Sequence, residues 1–103
     1  MLTKKALLFT AIGFCSAMPA LADLALATAK NCMTCHMVES KVLGPAFKDV
    51  AAKYKDNKGA ADLLAAKIVK GGSGVWGPVA MPANPQVSEA DAKKLAAWVL
   101  TLK

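Results

Sequence analysis

The chain has 103 residues, 55% of them hydrophobic, and a formal net charge of +6, so we expect a single small domain. Every basic residue is lysine, and no basic cluster with interleaved aromatic residues is present, which argues against nucleic-acid binding. Three cysteines are too few for the disulfide framework that stabilises many small exported proteins.

The first 22 residues are typical of a cleavable signal peptide. Lys4 and Lys5 precede an apolar run over 6–17, and the small-residue sequence Ala-Leu-Ala at 20–22 comes directly before Asp23. The pattern predicts a signal peptide over 1–22, a folded domain over 23–103 and a periplasmic location. An uncleaved anchor is the alternative, but the apolar run is too short to span a membrane, so we expect no stable membrane insertion.

Cys15 within this segment raises the question of a lipid anchor. The residue before it is Phe14, where a lipid-modification signal requires a small side chain. The sequence therefore argues against a lipoprotein.

A first helix is predicted from residue 22 or 23 to Asn31, and it leads into the sequence Cys-Met-Thr-Cys-His at 32–36. This C-x-x-C-H spacing is typical of covalent haem attachment. Residues three apart share a face of one helical turn, so the thiols of Cys32 and Cys35 can both reach the vinyl groups at one porphyrin edge. His36 then follows as the proximal iron ligand.

Two other kinds of chemistry use closely spaced cysteines. A zinc site would need further ligands, and His36 is the only histidine in the chain. A dithiol redox site would follow a strand in a βαβ pattern, and no strand-like alternation precedes Cys32. Haem attachment is the prediction, and dithiol chemistry remains the alternative.

The remainder of the chain predicts three more helices. Residues 37–45 form a loop ending in Gly-Pro, and short apolar periods then indicate helices over 46–54 and 60–70. In the second of these helices the apolar register contains Leu63, Leu64, Lys67 and Ile68. Residues 75–87 hold three of the five prolines and should be an irregular loop. Ser88 and Asp91 form a capping box that opens a last helix with the apolar stripe Leu95, Trp98, Val99 and Leu102.

The sequence therefore predicts an all-α fold in which about four helices pack around one covalently attached haem. Such a haem would add apolar surface to a core that is thin in so small a domain.

The second axial ligand decides between an open haem and a closed one. An open site binds small ligands and would indicate an enzyme or a gas sensor, whereas a closed site indicates an electron carrier. No second histidine exists, Met33 and Met37 are too close to His36 to reach the other side of the iron, and lysine is a less common ligand. Elimination leaves Met81, between stiffening prolines at 78 and 82, as the predicted second ligand.

Several short motifs spread over residues 23–103 resemble the small bacterial class I cytochromes c of the c-551/c-552 type. They are Cys32 to His36, Gly44-Pro45-Ala46, Tyr54, the Gly-Ser-Gly-Val-Trp-Gly sequence at 72–77, Met81-Pro82 and the Ala-Ala-Trp-Val-Leu sequence at 96–100. The tryptophan-to-methionine loop at 76–81 is more specific than the attachment motif.

The resemblance implies roles for four further residues. The backbone carbonyl of Pro45 would accept a hydrogen bond from His36, and Trp76 would donate its indole N–H to a haem propionate or simply pack in the core. Asn84 would reach the sulfur side of the Met81 loop or merely form a turn. Lys67 stands where the family commonly has an arginine near a propionate, and Pro85-Gln86 lengthens the loop after Asn84.

The resemblance also implies a function. The protein would be a monomeric electron carrier with one haem c and its iron, not an enzyme, and it would exchange electrons at an exposed haem edge. That edge would lie among Met33, Val42, Leu43, Pro78, Val79 and Ala80, with lysines around it. Its partners would be redox proteins: a donor such as a membrane cytochrome complex, and an acceptor such as a nitrite reductase, a peroxidase or a terminal oxidase.

Overall fold

The computed structural model describes residues 19–103, which form four α-helices and one 3₁₀ turn. The helices are α1 (Pro19–Ala29), α2 (Phe47–Tyr54), α3 (Ala60–Lys70) and α4 (Glu89–Leu100), and the 3₁₀ turn is Cys32–Thr34. Most of the predicted signal peptide lies outside the described residues. Helix α1 begins at Pro19 and runs through the predicted cleavage position after Ala22, so cleavage there would leave α1 as the amino-terminal element.

Helix α4 is the centre of the fold and packs on the other three helices. It begins at the predicted cap, where the Ser88 hydroxyl accepts a hydrogen bond from the Asp91 N–H at 3.1 Å. Its core face is Ala92, Leu95, Ala96, Trp98 and Val99, all less than 9% exposed. Leu95, Trp98 and Val99 of the predicted apolar stripe are therefore buried. Its fourth residue, Leu102, is half-buried and lies beyond the end of the helix.

Helices α2 and α3 pack on α4 through apolar positions at helical spacing. Phe47, Val50, Ala51 and Tyr54 are the buried residues of α2. In α3 the buried positions are Ala60 and Ala65, with Leu64 and Ile68 partly buried against the core. Leu63 was expected in this apolar register, but it is 41% exposed, because α3 packs through its small alanines instead.

Two residues after helix α1, a left-handed residue redirects the chain into the 3₁₀ turn. Asn31 has a φ of 68°, a conformation that asparagine tolerates better than most other residues. Ala27 of α1 is fully buried, and Leu24 and Leu26 pack against the core. The attachment motif is therefore held at the end of an anchored helix.

The segment between α3 and α4 is irregular, as its prolines predict. In the described residues β-type pairing is limited to two isolated bridges, His36 with Lys41 and Gly72 with Met81. Across residues 19–103 none of the helices has both the length and the apolar character needed to cross a membrane. The described architecture is the predicted all-α arrangement.

Candidate haem site

A pocket with a volume of about 620 Å³ opens between the helices and the loop that precedes α4. One wall carries Cys35 and His36 with the loop that follows them, and another is formed by residues 72–76 and 79–82. Ala96 and Val99 of α4 form an apolar inner surface, and the small Ala96 side chain leaves room beside the helix. Both the volume and the apolar lining suit a cofactor site.

The attachment motif forms one compact turn at this pocket. The Cys35 N–H donates to the Cys32 carbonyl at 3.2 Å, and the His36 N–H donates to the same carbonyl at 3.0 Å. Burial raises the pKa of the Cys32 thiol, whereas the attacking cysteine of a dithiol redox site has a lowered pKa. The raised pKa of Cys32 therefore does not favour the dithiol alternative.

The imidazole of His36 is held by three neighbours. Its Nδ1 lies 2.7 Å from the Pro45 carbonyl oxygen, which can only accept, so Nδ1 carries the proton and Nε2 keeps its lone pair. The Phe47 ring stacks on the imidazole with centroids 4.9 Å apart at 21°. A Cβ added at Gly44 would lie 2.5 Å from Cε1 of His36, so only glycine leaves room for the ring there.

Met81 lies in the same pocket, at the base of the loop after α3. Its backbone pairs with that of Gly72 through two hydrogen bonds. The Met81 N–H donates to the Gly72 carbonyl at 2.8 Å, and the Gly72 N–H donates to the Met81 carbonyl at 3.1 Å. Gly71 ends α3 with a φ of 78°, and a Cβ there would lie 2.6 Å from the Met81 carbonyl oxygen. A glycine is therefore required both by the turn and by the close approach of this loop.

Asn84 anchors the chain after Met81 to the end of α3. Its amide Nδ2 donates to the Ile68 carbonyl at 2.9 Å and to the Pro82 carbonyl at 3.2 Å. Gln86 donates to the Asn84 Oδ1 and to the Lys30 carbonyl, each at 3.2 Å. Among the hydrogen bonds of the described residues, none joins Asn84 to the Met81 sulfur, so its observed contacts are those of a loop anchor.

Trp76 and Lys67 both line the pocket, from the loop and from α3 respectively. Trp76 is 41% exposed. The Lys53 ammonium lies 5.3 Å from the centroid of the Trp76 ring. Lys67 is half-buried and forms no ion pair within residues 19–103.

Three contacts at this site were not anticipated from the sequence. They are the stacking of Phe47 on His36, the position of Lys53 over Trp76, and the Gln86 amide that links Lys30 to Asn84. The position of Phe47 two residues after the Gly-Pro sequence is the sequence signal for the first. The other two join distant segments and leave no local signal.

The donor set of this pocket fits a c-type haem. Two thiols lie on one turn, an imidazole presents a free Nε2, and a thioether lies in the same largely apolar cavity. An all-α fold with such a pocket defines a small haem-binding electron-transfer protein.

The same class emerges from comparison with known proteins. The family model described as "Cytochrome c" matches residues 24–103. The chain is 61% identical to cytochrome c-552 of Nitrosomonas europaea over 82 residues, 80% of each chain. It is 50% identical to cytochrome c-552 of Hydrogenobacter thermophilus over 101 residues, 97% of this chain and 99% of the relative.

Solved structures give the same result. The wild-type Nitrosomonas europaea cytochrome c552 crystal structure superposes with a TM-score of 0.77 at 60% identity, covering 78% of this chain and 99% of that one. The class 1 cytochrome MtoD of Sideroxydans lithotrophicus superposes with a TM-score of 0.63 at 28% identity, covering 79% and 92%.

The chain therefore belongs to the cytochrome c family. Its fold is the all-α class I cytochrome c fold, as the sequence predicts. It is an electron carrier rather than an enzyme, and its cofactor is a covalently attached haem c with its iron.

Proposed function

We propose that this cytochrome is a periplasmic one-electron carrier whose haem iron is bound by His36 and Met81. The observation that carries the proposal is that the two side chains line one pocket beside the Cys32–Cys35 turn. An imidazole and a thioether together fill both axial positions, so no substrate would bind the iron.

The cofactor would supply the ferric/ferrous couple, and the chain would supply its attachment, its ligands and its surroundings. Cys32 and Cys35 would form the thioethers. The Pro45 carbonyl accepts from Nδ1 of His36, which would leave Nε2 to bind the iron. A thioether ligand in apolar surroundings favours the reduced state, which predicts a relatively high potential.

Three polar side chains would act at the margins of the cofactor. Trp76 and Lys67 line the pocket and carry an N–H donor and a positive charge, so they suit the two haem propionates. Asn84 would act through the loop that it anchors, since its amide donates to the carbonyl of Ile68 in α3 and to that of Pro82, the residue after Met81.

Electron exchange would take place at the mouth of the pocket. Leu43 and Val79 line the mouth and are 60% and 62% exposed, and Val42 beside them is 46% exposed. Lys41 also lines the pocket. A small apolar surface with lysines around it suits brief docking of a monomeric carrier to acidic redox partners, a membrane cytochrome complex as donor and a reductase, peroxidase or terminal oxidase as acceptor.

The axial ligand is tested by proton NMR of the ferrous haem-containing protein and its Met81→Ala variant. A porphyrin ring current shifts the methyl group of a bound methionine strongly upfield. We expect such resonances in the wild type and their loss in Met81→Ala. Met37→Ala is the matched control, because Met37 is 49% exposed and lies outside the pocket.

Two results would contradict this ligation. Wild-type spectra without upfield methionine peaks, together with ready binding of carbon monoxide, would indicate an open site and hence an enzyme or a sensor. Loss of the peaks in Met37→Ala instead would reassign the ligand.

A further inference from the structure

The loop that carries Trp76 has few attachments to the rest of the protein. Its base is closed by the backbone pair of Gly72 and Met81. Within the part of the chain that the structure describes, none of the hydrogen bonds or ion pairs involves residues 73–80. Residues 72–80 are all exposed, and Gly74 and Gly77 adopt φ values of 85° and 114°. Within the described residues, the hydrogen bonds that tie this loop to the rest of the protein are therefore those at its base.

The Lys53 ammonium adds a contact from α2 to the far part of this loop. Lys53 lies in the last turn of α2, and its Nζ is 5.3 Å from the centroid of the Trp76 ring. Phe47 and Val50 of the same helix line the pocket on the side of His36, whereas Trp76 lines it from the loop that ends in Met81. The contact thus joins the two walls that carry the predicted axial ligands.

A cation over an aromatic face within about 6 Å is attracted by the quadrupole of the ring. We propose that Lys53 is a positioning residue: it holds Trp76, and with it the loop that ends in Met81, against α2 across the mouth of the haem pocket. Lys53 does not touch the cofactor in this proposal. It acts by disfavouring the open position of the loop.

The consequence is a control on access to the iron, and this step rests on the proposed Met81 ligation. An external ligand can bind only when Met81 leaves the iron, and the loop must move with it. The apparent affinity of the external ligand is therefore proportional to the fraction of molecules in which the loop is open. Loss of an exposed cation–π contact should raise that population about two- to fivefold, which corresponds to roughly 0.5–1 kcal/mol.

The first experiment titrates the ferric haem-containing protein with imidazole and follows the absorbance of the haem. Lys53→Met should bind imidazole about two- to fivefold more tightly than the wild type. Lys53→Arg should bind imidazole with the wild-type affinity, because a guanidinium also stacks on aromatic rings. Trp76→Leu should raise the affinity at least as much as Lys53→Met, because it also removes the indole N–H assigned to a propionate. Adding Lys53→Met to Trp76→Leu should give no further gain.

Lys55→Met is the matched control. Lys55 follows α2 directly and is exposed, so its replacement removes the same charge near the same helix end without a contact to Trp76. Imidazole affinity should be unchanged in this variant. An equal increase in Lys53→Met and Lys55→Met, or no increase in either, would overturn the proposal.

A second measurement does not depend on the axial ligand. In NMR spectra of the ferrous protein, the ε-methylene protons of Lys53 should be shifted upfield by the Trp76 ring, relative to those of Lys55. Trp76→Leu should abolish this shift. If the wild-type iron binds imidazole without displacing methionine, the proposed Met81 ligation is wrong. The upfield shift of the Lys53 protons then tests the Lys53–Trp76 contact by itself, and absence of that shift would overturn the positioning role of Lys53.

Discussion

At the scale of single residues, the site depends on how tightly His36 is enclosed. The imidazole has a carbonyl on one nitrogen, a stacked phenyl ring, and the backbone of Gly44 against its edge. Phe47 in turn packs edge-on against Trp98, with centroids 5.5 Å apart at 74°. The orientation of the histidine is thereby connected to the core of α4, so the ring cannot rotate without disturbing the packing.

Gly44→Ala tests this enclosure. The new methyl carbon would lie 2.5 Å from Cε1 and 2.9 Å from Nδ1 of His36, so the ring or the loop must move. We expect a loss of about 1–3 kcal/mol in the free energy of unfolding of the haem-containing protein. Denaturant titration measures this loss, and the His36 Nδ1 proton should shift in the NMR spectrum.

Gly59→Ala is the control for this substitution. A Cβ at Gly59 would have its nearest neighbour at 3.6 Å, and the backbone φ of −92° suits alanine. This variant should unfold at the denaturant concentration of the wild type. If Gly44→Ala were as stable as Gly59→Ala, the loop around His36 would accommodate the added methyl group without loss of unfolding free energy, and the enclosure would not be tight.

At the scale of secondary-structure elements, the loop after His36 is joined to the start of α2. The Phe47 N–H donates to the Met37 carbonyl at 2.9 Å, and the Lys48 N–H donates to the Val38 carbonyl at 3.0 Å. Lys48 also pairs with Glu39 at 2.8 Å. These contacts carry Pro45 to the position where its carbonyl accepts from His36. The loop and the helix therefore act as one support for the proximal side of the site.

The Glu39 pair predicts a specific pH dependence. The hydrogen bond and the charge of Lys48 hold the pKa of the Glu39 carboxyl below its ordinary value. A carboxyl with a depressed pKa in the folded state stabilises that state above its unfolded pKa, and this stabilisation is lost as the pH falls through the folded value. The difference in stability between wild type and Glu39→Gln should therefore be constant above about pH 5 and shrink as the pH falls below the ordinary glutamate pKa of about 4.3.

Denaturant titrations from pH 7 to pH 3 measure this difference. Because both side chains are exposed, the effect should be small and reduced by salt. Lys48→Gln should remove the same pH dependence. A difference that grows as the pH falls would contradict the sign of the predicted linkage.

At the scale of the whole molecule, the net positive charge and the lysines at the pocket mouth should direct association. Lys41 and Lys67 line the pocket, while Asp49 is the acidic residue among its lining. A charged opening attracts ions of the opposite sign, and added salt screens this attraction. The positive electrostatic potential at the pocket mouth should likewise favour partners with acidic docking surfaces.

Oxidation of the ferrous protein by ferricyanide, followed by stopped flow, tests this steering. The rate should fall as ionic strength rises, and Lys41→Glu should lower it roughly twofold or more at low salt. Lys94→Glu makes the same change in net charge on α4, outside the pocket lining, and should have a smaller effect. Equal rates for the two variants at all salt concentrations would indicate that the position of the charge is irrelevant.

Much of this protein could be predicted from short-range patterns. The helix predicted over 60–70 is α3, and the predicted cap at Ser88 opens α4. The attachment motif and its single turn depend on residues within five positions of one another. Helical periods, caps and closely spaced ligands are set by neighbouring residues along the chain, so the sequence by itself determines them.

Tertiary structure decided the contacts between distant segments. Lys53 meets Trp76, Phe47 meets His36, and Asn84 bonds to the end of α3 rather than to the Met81 sulfur. Leu63 faces outward although its spacing suited a buried position. Each of these results depends on which faces of the helices meet and how closely the loops approach them. The packing of the whole chain determines which helix faces and loops come into contact, and local periodicity does not predict it.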